Sequence, residues 1–149
     1  SEFNLLINFL NFKNIKYRVF SYEQKYNEED FLSYIKTCKY GIVLGRHESQ
    51  GFAIQEMLSC DVPLLVWGVT LRKQEYPYIN EYINVKSNVS TVPYWSDECG
   101  ELFYQYNELE NSYNTFIEKM NTYNPRKFIL ENVSLEACCQ KWNNLLSNL

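Results

Sequence analysis

The sequence predicts an α/β domain in which short parallel strands form a sheet flanked by helices. Two observations carry that prediction. The runs Tyr40-Gly41-Ile42-Val43-Leu44-Gly45 and Leu64-Leu65-Val66-Trp67 are uninterrupted apolar stretches, the pattern of strands buried on both faces. Between them, residues 51–59 carry Ile54, Met57 and Leu58 at helical spacing, and Asp61-Val62-Pro63 breaks that helix. Strand, helix, strand at this spacing is a βαβ unit, which implies parallel strands joined by right-handed crossovers.

The other elements follow from the same periodicities. Leu5, Leu6, Phe9 and Leu10 recur every three to four residues and predict an amphipathic helix near 4–13. Lys16-Tyr17-Arg18-Val19-Phe20-Ser21 alternates and is rich in β-formers, which predicts a strand. Asn27-Glu28-Glu29-Asp30 sets an acidic cap before Phe31, Tyr34 and Ile35, so a helix near 28–38 follows. Residues 68–90 show no clear period. Residues 91–100 read as a loop with a tight turn at Trp95-Ser96-Asp97, and a short strand is possible at 102–104. Leu109, Phe116, Ile117 and Met120 mark a helix near 108–121. After a turn at Asn124-Pro125, a closing helix carries Leu135, Cys138, Trp142 and Leu145.

At 149 residues, with 46% hydrophobic and 21% charged residues, the chain is expected to be one globular domain able to bury a core. Ser1-Glu2-Phe3 reads as a cloning remnant. A net charge of −4 argues against a general nucleic-acid binder, which needs a basic face to displace counterions. No apolar run is long enough to span a bilayer, and the N-terminus does not resemble a signal peptide. The five cysteines, Cys38, Cys60, Cys99, Cys138 and Cys139, are odd in number and include no CxxC pair. They read as reduced, mostly buried thiols of a cytoplasmic protein rather than as disulfides or a metal site. The sequons at Asn88 and Asn132 mean little without a secretory route.

The chemistry concentrates in the stretch from Arg46 to Pro63, just past the carboxyl end of a parallel strand, where open α/β sheets bind ligands. The free amides at the start of the helix, near Gly51, Phe52 and Ala53, suit phosphate oxygens. Gly51, lacking a Cβ, lets a ligand approach the backbone. Glu48 in the loop and Glu56 in the helix flank that anion site. Carboxylates suit hydroxyl groups rather than phosphate, so the pair fits a sugar at one end of a diphosphate and a ribose at the other.

This stretch resembles the E-x7-E motif of retaining GT-B glycosyltransferases, the large group often called family 4. Glu48 and Glu56 have the motif's separation, Gly51 takes its second glycine, and Glu56-Met57-Leu58-Ser59-Cys60-Asp61-Val62-Pro63 tracks the remainder. More weakly, 16–45 resembles the preceding strand–helix–strand and 92–149 the closing turn and helices. The resemblance implies a Rossmann-like parallel sheet, the C-terminal half of a GT-B fold. It implies a transferase moving a sugar from a UDP- or GDP-linked donor, without a metal or other cofactor. The glycan, protein or lipid acceptor would bind a further N-terminal domain, so this domain alone would be inactive. Glu56 would bind the ribose hydroxyls. Glu48 would contact donor-sugar hydroxyls near the anomeric carbon, the catalytic position. The backbone of Gly51 and Phe52 would hold the diphosphate, and Tyr22 would stack on the base. Ser49, His47 and Arg46 complete the substrate-contacting loop.

The chain also departs from the family's pattern. Ser49 replaces the usual first glycine, and Gly45 stands where serine is common. The Arg and Lys that usually neutralise the diphosphate are not visible, and neither Arg46 nor Lys25 sits at a matching position. Blander roles stand beside these. Glu48 also suits the dipole of the following helix, Glu56 a solvated helix face, and His47 a structural position. Tyr94 and Trp95 read equally as sugar-stacking or loop-anchoring residues. A non-catalytic binding module of the same fold is therefore the alternative, and an epimerase or phosphorylase sharing GT-B architecture a third.

Overall fold

The computed structural model describes residues 1–22, 24–71 and 89–148. Its centre is a three-stranded parallel sheet with β1 (Gly41–Leu44), β2 (Leu64–Trp67) and β3 (Gly100–Phe103) in that spatial order. The register sets Gly41 opposite Leu64 and Leu44 opposite Trp67, then Leu64 opposite Gly100 and Trp67 opposite Phe103. β2, the middle strand, is buried along its whole length, which is why its sequence is apolar without alternation.

Helices cover both faces. Leu64 and Val66 pack with Ile54 and Leu58 of α3 (Phe52–Ser59) and with Phe128 and Ile129 of α5 (Pro125–Asn132). Leu65 and Trp67 pack instead with Leu6 and Leu10 of α1 (Glu2–Phe12) and with Leu109 and Phe116 of α4 (Leu109–Glu118). Alternate residues of one strand thus feed two cores, as the pleat requires. An ion pair between Lys13 and Glu110, 2.8 Å long, ties α1 to α4. α2 (Glu28–Ile35) starts where expected, because the Asn27 side chain accepts the Asp30 amide hydrogen at 3.1 Å.

Four expectations need correction. The segment at 16–21 is not a strand of the sheet; among the described residues its only ladder contact is an isolated antiparallel bridge between Ser21 and Gln24. Its side chains are held by α2 instead. Arg18 forms a two-pronged ion pair with Asp30 and lies over the rings of Phe20 and Tyr34, while Phe20 packs edge-on to Tyr26 and Phe31. β-Propensity describes a residue's fit to a half-buried surface, and here that surface is a helix rather than a neighbouring strand.

The closing helix is two helices, because the Ser134 side chain caps a new one, α6 (Leu135–Leu146), by accepting the Ala137 amide hydrogen. Of α6 only Ala137 is buried, so its apolar stripe faces outward, with Leu135 76% and Trp142 63% exposed. The cysteines are not mostly buried. All five are free, but only Cys99 is enclosed, and Cys138 and Cys139 are exposed on α6.

The possible strand at 102–104 is present as β3, which starts two residues earlier and ends one earlier. The turn at Trp95-Ser96-Asp97 leads into a short 3-10 helix, Asp97–Cys99, capped by the Ser96 hydroxyl. Arg72 and Lys73, which the sequence places on a solvated loop, lie outside the described residues. Among the described residues no helix is long and apolar enough to cross a membrane.

Candidate functional site

The site is built where β1 ends. Leu44 leads into a loop, Gly45–Gln50, and Gly51 then serves as the N-cap of α3. Two backbone hydrogen bonds help to anchor the loop. The Gly45 amide donates to the Trp67 carbonyl at 3.2 Å, and the Glu48 amide to the Ser90 carbonyl at 2.9 Å. Gly45 is dictated by packing. A Cβ there would lie 1.9 Å from Cγ2 of Thr91, a buried residue whose hydroxyl accepts the Val69 amide hydrogen at 3.0 Å. That contact accounts for glycine at this position.

Gly51 is dictated by backbone conformation. Its φ of 67° and ψ of 52° are left-handed, whereas a Cβ would meet only ordinary contacts at 3.5 Å and beyond. Gly51→Ala is therefore expected to cost about 1–2 kcal/mol through the left-handed conformation alone. A thermal melt of the variant checks this. The first intrahelical bond of α3 is donated by Gln55 to Gly51, so the amides of Phe52, Ala53 and Ile54 precede the ladder and point out of the helix tip.

Around this tip lies an open cleft of about 620 Å³, lined by Tyr22, Tyr26, Glu28, Glu48 to Ala53, and Glu56. That size is within the usual range for small-molecule sites. Glu48 and Glu56 therefore reach one cleft, from the loop and from the helix, and the tip residues Gly51, Phe52 and Ala53 line it with them. Tyr22, Ser49, Gly51 and Phe52 line it too, and Phe52 presents its ring to solvent, 69% exposed.

Two candidates do not line it. Arg46 turns away to pair with Glu2 at 3.2 Å, and His47 is exposed outside the lining. Tyr94 and Trp95 are also outside the cleft; Trp95 packs against the core on the α3 and α5 side.

The cleft is acidic. Burial, and then the carboxylate of Glu28, raise the Glu56 carboxyl above its ordinary value. Burial raises the Tyr22 hydroxyl, followed by Glu48, Tyr26 and Glu56; burial raises that of Tyr26, followed by Glu56 and Glu28. Among the described residues the lining includes no Lys or Arg. Nor does any group of three or more His, Cys, Asp or Glu converge closely enough to share a metal ion.

Two of the lining residues were not singled out by the sequence. Glu28 reads there only as part of a helix cap, and Tyr26 has no local motif. Their only signal is the spacing that starts α2 at Glu28, and nothing local says that this helix tip faces α3.

Comparison with known proteins adds no assignment. No family model, curated protein or solved structure matches this chain. The functional reading therefore rests on the cleft and on the residues that line it.

Proposed function

We propose that the chain is the donor-binding domain of a glycosyltransferase of the GT-B type, which transfers a sugar from a nucleoside diphosphate sugar to an acceptor. One observation carries the reading: Glu48 and Glu56 line a single cleft together with Gly51, Phe52 and Ala53 at the α3 N-terminus. The amides of Phe52 and Ala53 supply hydrogen-bond donors, and with the helix dipole they favour phosphate oxygens between the carboxylates. Glu56 accepts from the ribose hydroxyls. Glu48 accepts from donor-sugar hydroxyls and stands near the anomeric carbon. Tyr22 offers an aromatic face. Holding the leaving diphosphate on fixed amides stabilises the charge that develops as the glycosidic bond breaks.

The test is calorimetric titration of the folded chain with UDP, GDP and their sugar conjugates. Absence of heat at millimolar nucleotide counts decisively against the proposal. The Glu56 carboxyl supplies a further check. Its ionised form accepts strong, charge-assisted bonds through both oxygens, so affinity is expected to fall as pH drops through a midpoint above the ordinary 4.5. Titrations from about pH 4 to 7 measure this. Glu56→Gln separates it from ionisation of the phosphate, because that midpoint disappears in the variant.

A second reading is favoured by the acidic lining. With no Lys or Arg among the described lining residues, carboxylates oppose the diphosphate while only amides attract it. A binding module of the same fold that takes a neutral sugar or nucleoside, without donor chemistry, fits that balance. Tighter binding of free nucleoside than of nucleoside diphosphate selects it.

A further inference from the structure

Glu48 stands on a loop, and that loop rests on a buried strut, Ser90-Thr91, which joins it to the exit of β2. On the β2 side the Val69 amide donates to the Thr91 hydroxyl at 3.0 Å, and the Val89 amide to the Thr70 carbonyl at 3.1 Å. On the loop side the Ser90 carbonyl accepts the Glu48 amide hydrogen at 2.9 Å. The Thr91 methyl fills the space beside Gly45 that a Cβ would need. Thr91 is 1% exposed, the one buried polar residue among those described.

We propose that Thr91 is a positioning residue for Glu48. Its hydroxyl fixes it to the end of β2, while its methyl group and the neighbouring Ser90 carbonyl hold the loop from Gly45 to Glu48. The role concerns the donor-sugar end of the cleft, so it rests on the nucleotide-sugar reading above. A side chain holds a ligand in one geometry only where its own support is locked by packing and hydrogen bonds. Thr91 is locked in this way. With its hydroxyl on the Val69 amide, the methyl has a single place, because both groups branch from one Cβ. Turning the hydroxyl aside leaves a buried amide without its acceptor. Glu56 and the tip amides need no such strut, since Ile54 and Leu58 seat α3 in the core directly.

The contact lends itself to a size swap. Gly45 does not have a positive φ, so alanine there is opposed by contact alone. Gly45→Ala sets a Cβ 1.9 Å from the Thr91 methyl carbon and displaces the loop. Thr91→Ser removes that methyl and keeps the hydroxyl. The double variant Gly45→Ala/Thr91→Ser therefore has room, with the next contacts to residue 91 at 3.2 and 3.4 Å.

Two measurements follow the swap, each on variants shown by circular dichroism to be folded. Amide hydrogen exchange at Glu48, read by NMR, is expected to quicken about five- to tenfold in Gly45→Ala, as one hydrogen bond is lost, and to slow again in the double variant. Calorimetric titration with UDP, UDP-glucose, UDP-N-acetylglucosamine, GDP and GDP-mannose reads the cleft. A conjugate that binds tighter than its nucleotide is expected to lose that excess, about tenfold, in Gly45→Ala and to regain it in the double variant, with UDP and GDP unchanged. Absence of any such excess in the wild-type chain, its survival in Gly45→Ala, or a loss that the double variant does not restore overturns the positioning role. So does equal weakening of nucleotide and conjugate. Each of these leaves nucleotide binding standing, whereas failure of every nucleotide to bind the folded chain overturns both readings.

Discussion

Glu56→Ala is expected to weaken nucleoside diphosphate binding by roughly 10- to 100-fold, from loss of hydrogen bonds between a charged acceptor and the ribose worth about 1.5–3 kcal/mol. The direction follows from where Glu56 stands. It is half-buried on α3 and lines the cleft beside the helix tip, with burial already raising its carboxyl. Truncation also removes one negative charge from an acidic cleft, which favours the diphosphate and offsets part of the loss. Comparing nucleoside with nucleoside diphosphate separates the two effects. The nucleoside shows the full loss, because it has no phosphate to benefit. Unchanged affinity for both removes Glu56 from the binding site and leaves it a solvated helix residue. Isothermal titration of the variant, with a circular dichroism spectrum to show that it is folded, measures this.

Phe116→Ala is expected to destabilise the chain by about 3–5 kcal/mol, the usual cost of deleting a buried aromatic ring and leaving a cavity. Phe116 of α4 is fully buried. Its ring stacks on Tyr123 at 5.4 Å and meets Tyr40 edge-on at 5.5 Å, so it joins the helix both to the chain that follows and to the entry of β1. Tyr40 in turn hydrogen-bonds Tyr113 at 3.1 Å. Removing the ring loosens both partners, and little nearby can collapse into the space. Denaturant unfolding measures the loss; a change below about 1 kcal/mol, the scale of ordinary surface substitutions, contradicts this account of the core.

Local sequence determined the elements whose cause is local. β1 and β2 fall where two apolar runs stand; β2 is buried on both faces and has no polar side to show, while β1, expected to be buried too, is half-buried throughout. α3 begins after Gly51 because only glycine takes the left-handed conformation cheaply at that cap. Glu48 and Glu56 were legible as a pair for the same reason, since a short loop and one and a half helical turns fix their relation.

Tertiary structure decided what depends on the neighbours of a segment. Residues 16–21 have strand-like composition, yet they lie against α2, because Arg18 and Phe20 find Asp30, Phe31 and Tyr34 there. Helical period told that α6 has an apolar stripe, but not that Ala137 on the other side would meet the body. Arg46 and His47 were drawn to the site by proximity in sequence, and the course of the loop takes them out of it. Glu28 and Tyr26 entered it because the α2 tip comes to face α3. Periodicity describes which side of an element is apolar; only packing sets which elements face one another, and the opposite wall of this cleft is made by that choice.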